Sequence, residues 1–555
     1  MRDRAYPHCT KALPGRFARS SLASAMLATG LVSTAVGQGI TPDAPSGSGM
    51  IAPSGVPSQI VGGPIAAEAP RRGAQGWATD ASVTAQATLT NNANYGAADD
   101  RQGDLIFNLL PAISFSREGA RLRVAGSASL NMIGYVDGVQ TSRILPQVSV
   151  LANLEAIERL FFIDASIVAN QEVINPFLPQ PEFTSTVNQY TYWQGRLAPY
   201  LQGNFGQNFN WLIRSDNSFT YTTQTDAPLG NAYYGNQTAE LVRRPTPLGY
   251  SMKLQKQLTR IQGQVQQDQR LNTALGTLDY QFTPQFSFGL RGGYENTNYT
   301  ASETAGPIYG ATLAWLPSPL TRVAGYWEQR FFGPSYVFDA SNRQRMLASS
   351  LSASRQIATY PQLLLQIPAT SNVSSLLNAI LLGRFPDPIE RAQQVQELIN
   401  RQSLPQSLPA GTNIYSQNAN VLTSATANFA LIGVRNTLAF NLYYLKTETL
   451  PDSKIPPTFV LINNNVQEGA GVTLSHKLTP QIVLNGSLSG LQTRGFDSSD
   501  GLNSKQGIAQ LQANFQLSNS NSLFVGARYQ FQTSSTIGFG DTSEAAIFTG
   551  LFHSL

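Results

Sequence analysis

The stretch LFVGARYQF, residues 523–531, alternates between two kinds of side chain, as a β-strand does when its two faces meet different surroundings. One set mixes an aromatic with small and polar residues: Phe524, Gly526, Arg528 and Gln530. The other set is apolar throughout: Leu523, Val525, Ala527, Tyr529 and Phe531. A strand with one oily face suits either the core of a soluble sheet or the lipid-facing side of a membrane barrel.

The same alternation recurs along most of the chain, for example in segments 122–131, 160–171, 286–295 and 507–517. Short connections, such as those near Gly119 and Pro284, alternate with longer polar ones. A soluble all-β chain would need sandwich domains of about a hundred residues, and the sequence shows no domain boundaries at that spacing. Bacterial outer-membrane barrels use tilted strands of about 9–11 residues, with short turns at one end and longer loops at the other.

We therefore predict an all-β membrane fold, a single transmembrane antiparallel β-barrel of about 20 strands (roughly 18–22) with a short helical insertion. Closing the sheet satisfies every backbone group in a solvent that offers no hydrogen bonds. The stretch SYVFDASNRQRMLASSLSAS, residues 335–354, fits either one long strand or two short ones.

Composition narrows the class of protein further. Charged residues make up 13% of the chain, against about 25% in soluble domains. The net charge of +4 is small and the sequence contains no Lys/Arg block, so nucleic acid is not expected as a partner. Cys9 is the only cysteine, which excludes an intramolecular disulfide and a thiolate metal site.

The N-terminal region reads as an export signal followed by a tether. Residues 1–37 combine several arginines with a short apolar run and small residues at Ala35 and Gly37, as a cleaved signal peptide does. Residues 38–76 are rich in Pro, Gly and Ser without periodicity, which indicates a flexible linker. The predicted barrel occupies residues 77–555, and the predicted location is the outer membrane of a Gram-negative cell.

One segment, at about 361–413, departs from the strand pattern. In FPDPIERAQQVQELINR, residues 385–401, Asp387 is a candidate N-cap with Pro388 at N1 and Glu390 at N3. A second short helix is predicted at residues 374–382. The insertion would be either a structured loop on the barrel rim or a plug inside the lumen.

Nothing in the sequence favours an enzyme. The mature chain would keep two histidines, His476 and His553, and neither has a recognisable Ser or Asp partner. Metal-ligand spacings, phosphate loops and dinucleotide fingerprints are not found. We predict no catalytic, cofactor-binding or metal-binding residues and no cofactor.

Two groups of side chains are candidates for the barrel's two surfaces. Inward-facing charges would either brace the interior as ion pairs or favour anionic solutes. The predicted lumen-facing residues are Arg121, Arg123, Asp164, Arg291, Glu295 and Arg528. Aromatic residues fit the girdles at the membrane interfaces better than sugar-stacking platforms. The predicted girdle residues are Tyr192, Trp193, Trp315, Tyr326 and Trp327.

Several ordered motifs resemble a known family. They include GYENTNY at 293–299, GATLAWLPSPLTRVAGYWEQRFFGPSYVFDASNRQR at 310–345, LFFIDASIVANQ at 160–171 and LIGVRNTLAF at 431–440. Together they resemble the outer-membrane barrels associated with the PEP-CTERM/exosortase protein-sorting system, over roughly residues 77–555. The resemblance implies an association with exopolysaccharide and surface sorting, and it implies no reaction.

Two functions from different classes follow. The first is a porin-like pore or export/transport component linked to exopolysaccharide or PEP-CTERM/exosortase surface sorting. The second is a non-conducting structural or assembly barrel of the cell envelope. The predicted partners are outer-membrane lipid, the barrel-assembly machinery and possible polysaccharide or exosortase-system components.

Overall fold

The computed structural model describes residues 76–178, 188–206, 208–223, 230–262, 267–365, 416, 418–450, 464–535 and 540–555. These residues form 22 strands, one short α-helix and one 3-10 turn at Asp497–Ser499. The helix, α1, is Tyr360–Leu365. The strands are β1 Ala78–Thr90, β2 Asp104–Glu118, β3 Leu122–Tyr135, β4 Arg143–Ile157, β5 Phe161–Val173, β6 Gln189–Phe205, β7 Phe209–Thr222, β8 Ala232–Arg243, β9 Leu248–Ile261, β10 Gln267–Thr283, β11 Phe286–Thr297, β12 Thr304–Ser318, β13 Thr321–Arg330, β14 Gly333–Arg343, β15 Leu347–Ala358, β16 Asn420–Ile432, β17 Asn436–Thr449, β18 Asn465–Lys477, β19 Ile482–Gly495, β20 Asn503–Gln516, β21 Asn521–Ser534 and β22 Thr542–Ser554.

The strands form one closed antiparallel sheet. Each strand pairs with the next in sequence, and β1 pairs with β22, for instance through Ala85 and Leu551. Closure removes both sheet edges, so no row of unpaired backbone groups faces the bilayer. The predicted membrane barrel is confirmed, with 22 strands at the upper end of the predicted range. The ambiguous stretch 335–354 forms two strands, β14 and β15, which pair with each other through Ser341 and Ser350.

The two ends of the barrel differ in the length of their connections. Connections after even-numbered strands are short, such as residues 119–121 and 284–285. Those after odd-numbered strands are mostly longer, such as residues 91–103 and 359–419. We call these the short-turn end and the long-loop end. In bacterial outer-membrane barrels the short turns are periplasmic and the longer loops extracellular.

The outward face carries the apolar side chains. Leu290, Leu511 and Ile547 are 61–64% exposed, although they lie in the middle of regular strands. Large apolar side chains exposed in this way are stable next to hydrocarbon rather than water. In the stretch 523–531 the apolar set points outward, and Arg528 and Gln530 are buried on the inward face.

The aromatic Phe524 belongs to the inward set because a neighbouring glycine makes room for it. Phe524 and Gly550 are register partners on β21 and β22, and so are Gly526 and Phe548. A Cβ atom added at either glycine would lie within 3.0 Å of the facing phenyl ring. Each ring therefore covers the backbone of the glycine opposite it, which seals the inner wall near the short-turn end.

Candidate functional site

The inner wall of the barrel is the surface that any passing or bound molecule would meet, and several of its charged side chains form three clusters. The first joins β21, β22 and β1. Glu544 accepts hydrogen bonds from Thr90 Oγ1 at 2.8 Å and from Arg528 at 3.1 Å, and a further short one from Gln530 Nε2. The Arg528 and Glu544 side chains are 2% and 0% exposed. This cluster lies across the seam where the last strand meets the first.

The second cluster joins β5, β6 and β7. Arg214 binds Asp164 at 2.6 Å and Asp216 at 3.0 Å. Arg196 forms a short ion pair with the same Asp216. The Arg214 guanidinium also stacks over the ring of Tyr200, 4.8 Å from its centroid. The two arginines and two aspartates neutralise one another, so the cluster carries no net charge.

The third cluster joins β11 and β13 and contains two arginines and two glutamates. Arg330 binds Glu295 at 2.5 Å, and Arg291 binds Glu328 at 3.3 Å. The Arg291 guanidinium lies over the ring of Tyr326, 4.1 Å from its centroid. Glu295 is 1% exposed and also accepts the backbone N–H of residue 331. This cluster is neutral as well.

The rest of the inner wall, on β16–β22 and β1–β4, is rich in amides. Pairs of amides bond across strands, as Asn441 does to Asn428 at 3.2 Å and Asn108 to Asn131 at 3.3 Å. Other buried inward amides are Gln86, Gln147, Gln467, Gln510, Gln512, Gln530 and Gln532. Side chains of this kind both donate and accept hydrogen bonds, as the hydroxyl groups of a sugar do.

Helix α1 lies inside the lumen, near the long-loop end. It follows β15 but contacts the inner face of β6, β8 and β9, which are not neighbours of β15 in the ring. Gln362 donates to Tyr234 Oη at 3.0 Å and to Gln257 Oε1 at 3.2 Å, and the hydroxyls of Thr359 and Thr259 are 3.0 Å apart. Tyr360 is fully buried against the inward tyrosines of β6. The start of the predicted insertion is thus folded into the barrel, and the helices predicted at residues 374–382 and from Asp387 lie outside the described residues.

The structure places most of the predicted lumen-facing charges on the inner wall. Asp164, Arg291, Glu295 and Arg528 belong to the three clusters. Arg123 lies on the inward face of β3, half-buried. Arg121 does not lie in a strand, because it belongs to the exposed turn between β2 and β3. Residue 121 has the same parity as the inward residues of β3, but it lies one residue before the strand begins.

The predicted girdle residues divide between the two faces. Trp315 and Trp327 are 46% exposed on the outward face, and Trp193 also faces outward. Tyr192 and Tyr326 correct the prediction, since both face the lumen: Tyr192 packs beside α1, and Tyr326 stacks on Arg291. The reason is strand parity. Adjacent residues point to opposite faces, so a neighbouring pair such as Tyr192 and Trp193 cannot both reach lipid.

In the part of the chain that the structure describes, no group of three or more His, Cys, Asp or Glu side chains is placed to hold a metal ion. His476 Nδ1 lies 2.6 Å from Asn436 Oδ1, and His553 Nδ1 lies 2.8 Å from Asn521 Oδ1. Among the described residues, no helix is long and apolar enough to cross a bilayer.

Comparison with known proteins gives structural likeness only. No family model and no curated protein matches the sequence. The siderophore receptor PirA from Acinetobacter baumannii is 9% identical, with a TM-score of 0.45 over 86% of this chain and 80% of that one. The FrpB iron transporter from Neisseria meningitidis (F3-3 variant) is 10% identical, with a TM-score of 0.45 over 86% and 81%.

OprD from Pseudomonas aeruginosa is 10% identical, with a TM-score of 0.28 over 86% of this chain and 95% of that chain. The closed sheet and apolar exterior described above are what give this chain the architecture of an outer-membrane β-barrel.

Sequence reasoning missed several residues of the inner wall. Arg196, Arg214, Asp216 and Glu544 form the ion pairs but were not among the candidates. Their inward direction follows from the period-two alternation and was accessible from the sequence. Most of their partners were not, because the pairs of Arg196 with Asp216, Arg214 with Asp164 and Arg528 with Glu544 join different strands, whose register only the folded sheet defines.

Proposed function

We propose that the protein is an outer-membrane pore or export/transport component for a polar, hydroxyl-rich polymer, linked to exopolysaccharide or PEP-CTERM/exosortase surface sorting. The single observation that carries the proposal is an inner wall rich in amides and ion pairs, with a segment folded into the lumen at the long-loop end. Amides that donate and accept suit neutral hydroxyl groups. The three charged clusters are each balanced, so they provide no excess of positive charge to select anions.

The segment around α1 is the feature that a transport role would need to move. Its contacts with the wall include the two hydrogen bonds of Gln362 to Tyr234 and Gln257. Each such bond contributes about 1 kcal/mol net. Losing both would shift the balance between the folded-in and released positions by about 2 kcal/mol, or roughly 30-fold.

Planar-bilayer recording of the purified full chain tests the proposal. We expect Gln362→Leu to raise the open-channel probability, and a neutral polysaccharide added to the long-loop side to block the current. Gln356→Leu is the matched control. Gln356 is also an inward glutamine, on β15, but it donates a hydrogen bond to Tyr326 Oη at 3.1 Å rather than to Tyr234 or Gln257, the wall partners of α1. Equal effects of the two substitutions would contradict the assignment of α1.

A second function is favoured by the tight packing of the inner wall. Glu295, Gln467 and Gln530 are at most 1% exposed, which suits a non-conducting structural or assembly barrel of the envelope. Electrical silence of both the wild type and Gln362→Leu would support this alternative. Hydrolysis of lipid or peptide that is lost in His476→Ala would instead revive an enzymatic role.

A further inference from the structure

A row of polar side chains crosses the lipid-facing surface of β8 to β11. Gln237 is the register partner of Lys256, Lys256 of Asn272, and Asn272 of Asn296. All four side chains are exposed on the outward face. Because neighbouring strands are about 4.8 Å apart, the row extends over about 15 Å. Towards the short-turn end the next outward residues are apolar, such as Leu254, which is 46% exposed. Towards the long-loop end Arg270 follows Asn272 on β10 and pairs with Asp268 at 3.6 Å.

These four side chains have no partner within the described protein. None of them makes a side-chain hydrogen bond or ion pair with another described residue. Hydrocarbon cannot supply the missing hydrogen bonds, and polar groups facing it are costly unless something polar covers them. The row offers one cation, on Lys256, and amide N–H groups on both sides of it. That combination is complementary to a phosphate group.

An apolar groove begins directly beside the row. It has a volume of about 680 Å³ and runs along the outer surface of β6 to β11. Its walls include Leu201, Ile213, Leu254 and Tyr294, which are 36–57% exposed. Small outward side chains at positions such as Ala274 leave the space between them open. Its apolar walls would pack favourably against a hydrocarbon chain.

The position of the row within its strands indicates the leaflet. Along β9 the apolar residues Tyr250, Met252 and Leu254 lie towards the short-turn end, and Lys256 is the next outward residue towards the long-loop end. A lipid bound here would have its headgroup on the long-loop side and its chain pointing towards the short turns. Since long loops are extracellular in barrels of this class, this orientation matches the outer leaflet.

We propose that this row and groove form a specific site for an outer-leaflet lipid with a phosphate-bearing anionic headgroup. The phosphate pairs with Lys256 and accepts hydrogen bonds from the amides of Asn272 and its neighbours in the row. One acyl chain fills the groove between Ile213, Leu254 and Tyr294. The site is separate from the lumen and does not depend on whether the barrel conducts.

Native mass spectrometry of the purified full chain in detergent micelles, titrated with lipid A, tests the site. We expect saturable binding that is about fivefold weaker in Lys256→Gln and close to wild type in Lys256→Arg, because one basic group near a lipid headgroup contributes about a fivefold change. Ala274→Leu, which fills the groove and leaves the charge unchanged, is expected to weaken binding as well. Dephosphorylated lipid A and phosphatidylethanolamine are expected to bind more weakly than lipid A.

Lys505→Gln is the matched control, because Lys505 is an exposed outward lysine on β20, on the opposite side of the ring, and does not line the groove. It is expected to leave lipid A binding unchanged. Heat-modifiable electrophoretic mobility identifies folded barrel in every sample. The proposal is overturned if binding is not saturable or if Lys256→Gln and Lys505→Gln have equal effects. It is also overturned if dephosphorylated lipid A binds as tightly as lipid A. It is also overturned if the groove is instead covered by a second copy that lipid A does not displace.

Discussion

The buried pair across the closing seam predicts a large loss of stability from a single substitution. Glu544→Ala removes the carboxylate that receives hydrogen bonds from Thr90, Arg528 and Gln530. The Arg528 side chain is 2% exposed, so water cannot replace the lost carboxylate without opening the wall. Breaking a buried ion pair by removing one partner typically costs about 3–5 kcal/mol. We expect a loss of this size in the free energy of unfolding.

An exposed ion pair on the outward face, close to the rim at the long-loop end, is the matched comparison. Glu468 and Arg494, on β18 and β19, are 2.5 Å apart, but their side chains are 42% and 51% exposed. Exposed pairs contribute about 0–1 kcal/mol, because water screens the charges and the side chains lose rotamer freedom. Glu468→Ala should therefore cost no more than about 1 kcal/mol.

A double substitution separates the loss of a partner from the loss of attraction. Replacing both charges, as in Glu544→Leu with Arg528→Met, removes the pair without leaving a buried cation behind. Replacing a buried pair by apolar groups is often close to neutral. We expect the double variant to be clearly more stable than Glu544→Ala.

Urea unfolding of the barrel refolded into lipid vesicles, followed by tryptophan fluorescence, measures all three variants. A Glu544→Ala variant within about 1 kcal/mol of wild type would refute the energetic role assigned to the seam cluster. A double variant as unstable as the single one would show that shape, rather than the unpaired charge, causes the loss.

Two further predictions concern the two faces of the wall. Gly550→Ala should lower the free energy of unfolding by about 1–3 kcal/mol, because the new Cβ meets the ring of Phe524. Gly490→Ala meets no side chain and should have little effect. Equal losses from the two substitutions would contradict the packing described. Leu511→Arg, 64% exposed at mid-strand, should cost about 2–4 kcal/mol in lipid vesicles, against about 0–1 kcal/mol for Leu517→Arg in a short turn. Equal costs at these two sites would mean that the apolar belt does not face hydrocarbon.

The fold could be predicted from local patterns because a barrel strand carries its own signal. In residues 523–531 the side chains that face lipid and those that face the lumen alternate with period two, whatever the neighbouring strand is. Turn lengths gave the two ends of the barrel for the same reason, since each turn is a local feature. Only the number of strands was left open, because the turn at residues 344–346, which separates β14 from β15, contains no Pro or Gly to mark it.

The interior depended on long-range geometry. Arg528 was visible as an inward charge from its own strand, but its partner Glu544 is defined by the register between β21 and β22, and Thr90 by closure with β1. The outward row around Lys256 likewise exists only when four strands are aligned. A sequence lists which residues share a face of one strand, whereas adjacency between strands follows from hydrogen-bond register and ring closure.

The same contrast explains α1 and the two tyrosines. Chain composition alone could mark the segment after β15 as an insertion, but its contact with Tyr234 and Gln257 joins residues more than a hundred positions apart. The faces of Tyr192 and Tyr326 depended on strand parity that aromatic content does not reveal. Local alternation is enough to define a membrane wall, because each strand meets lipid by itself; the contents of the lumen require the closed ring, because they are made of contacts between strands.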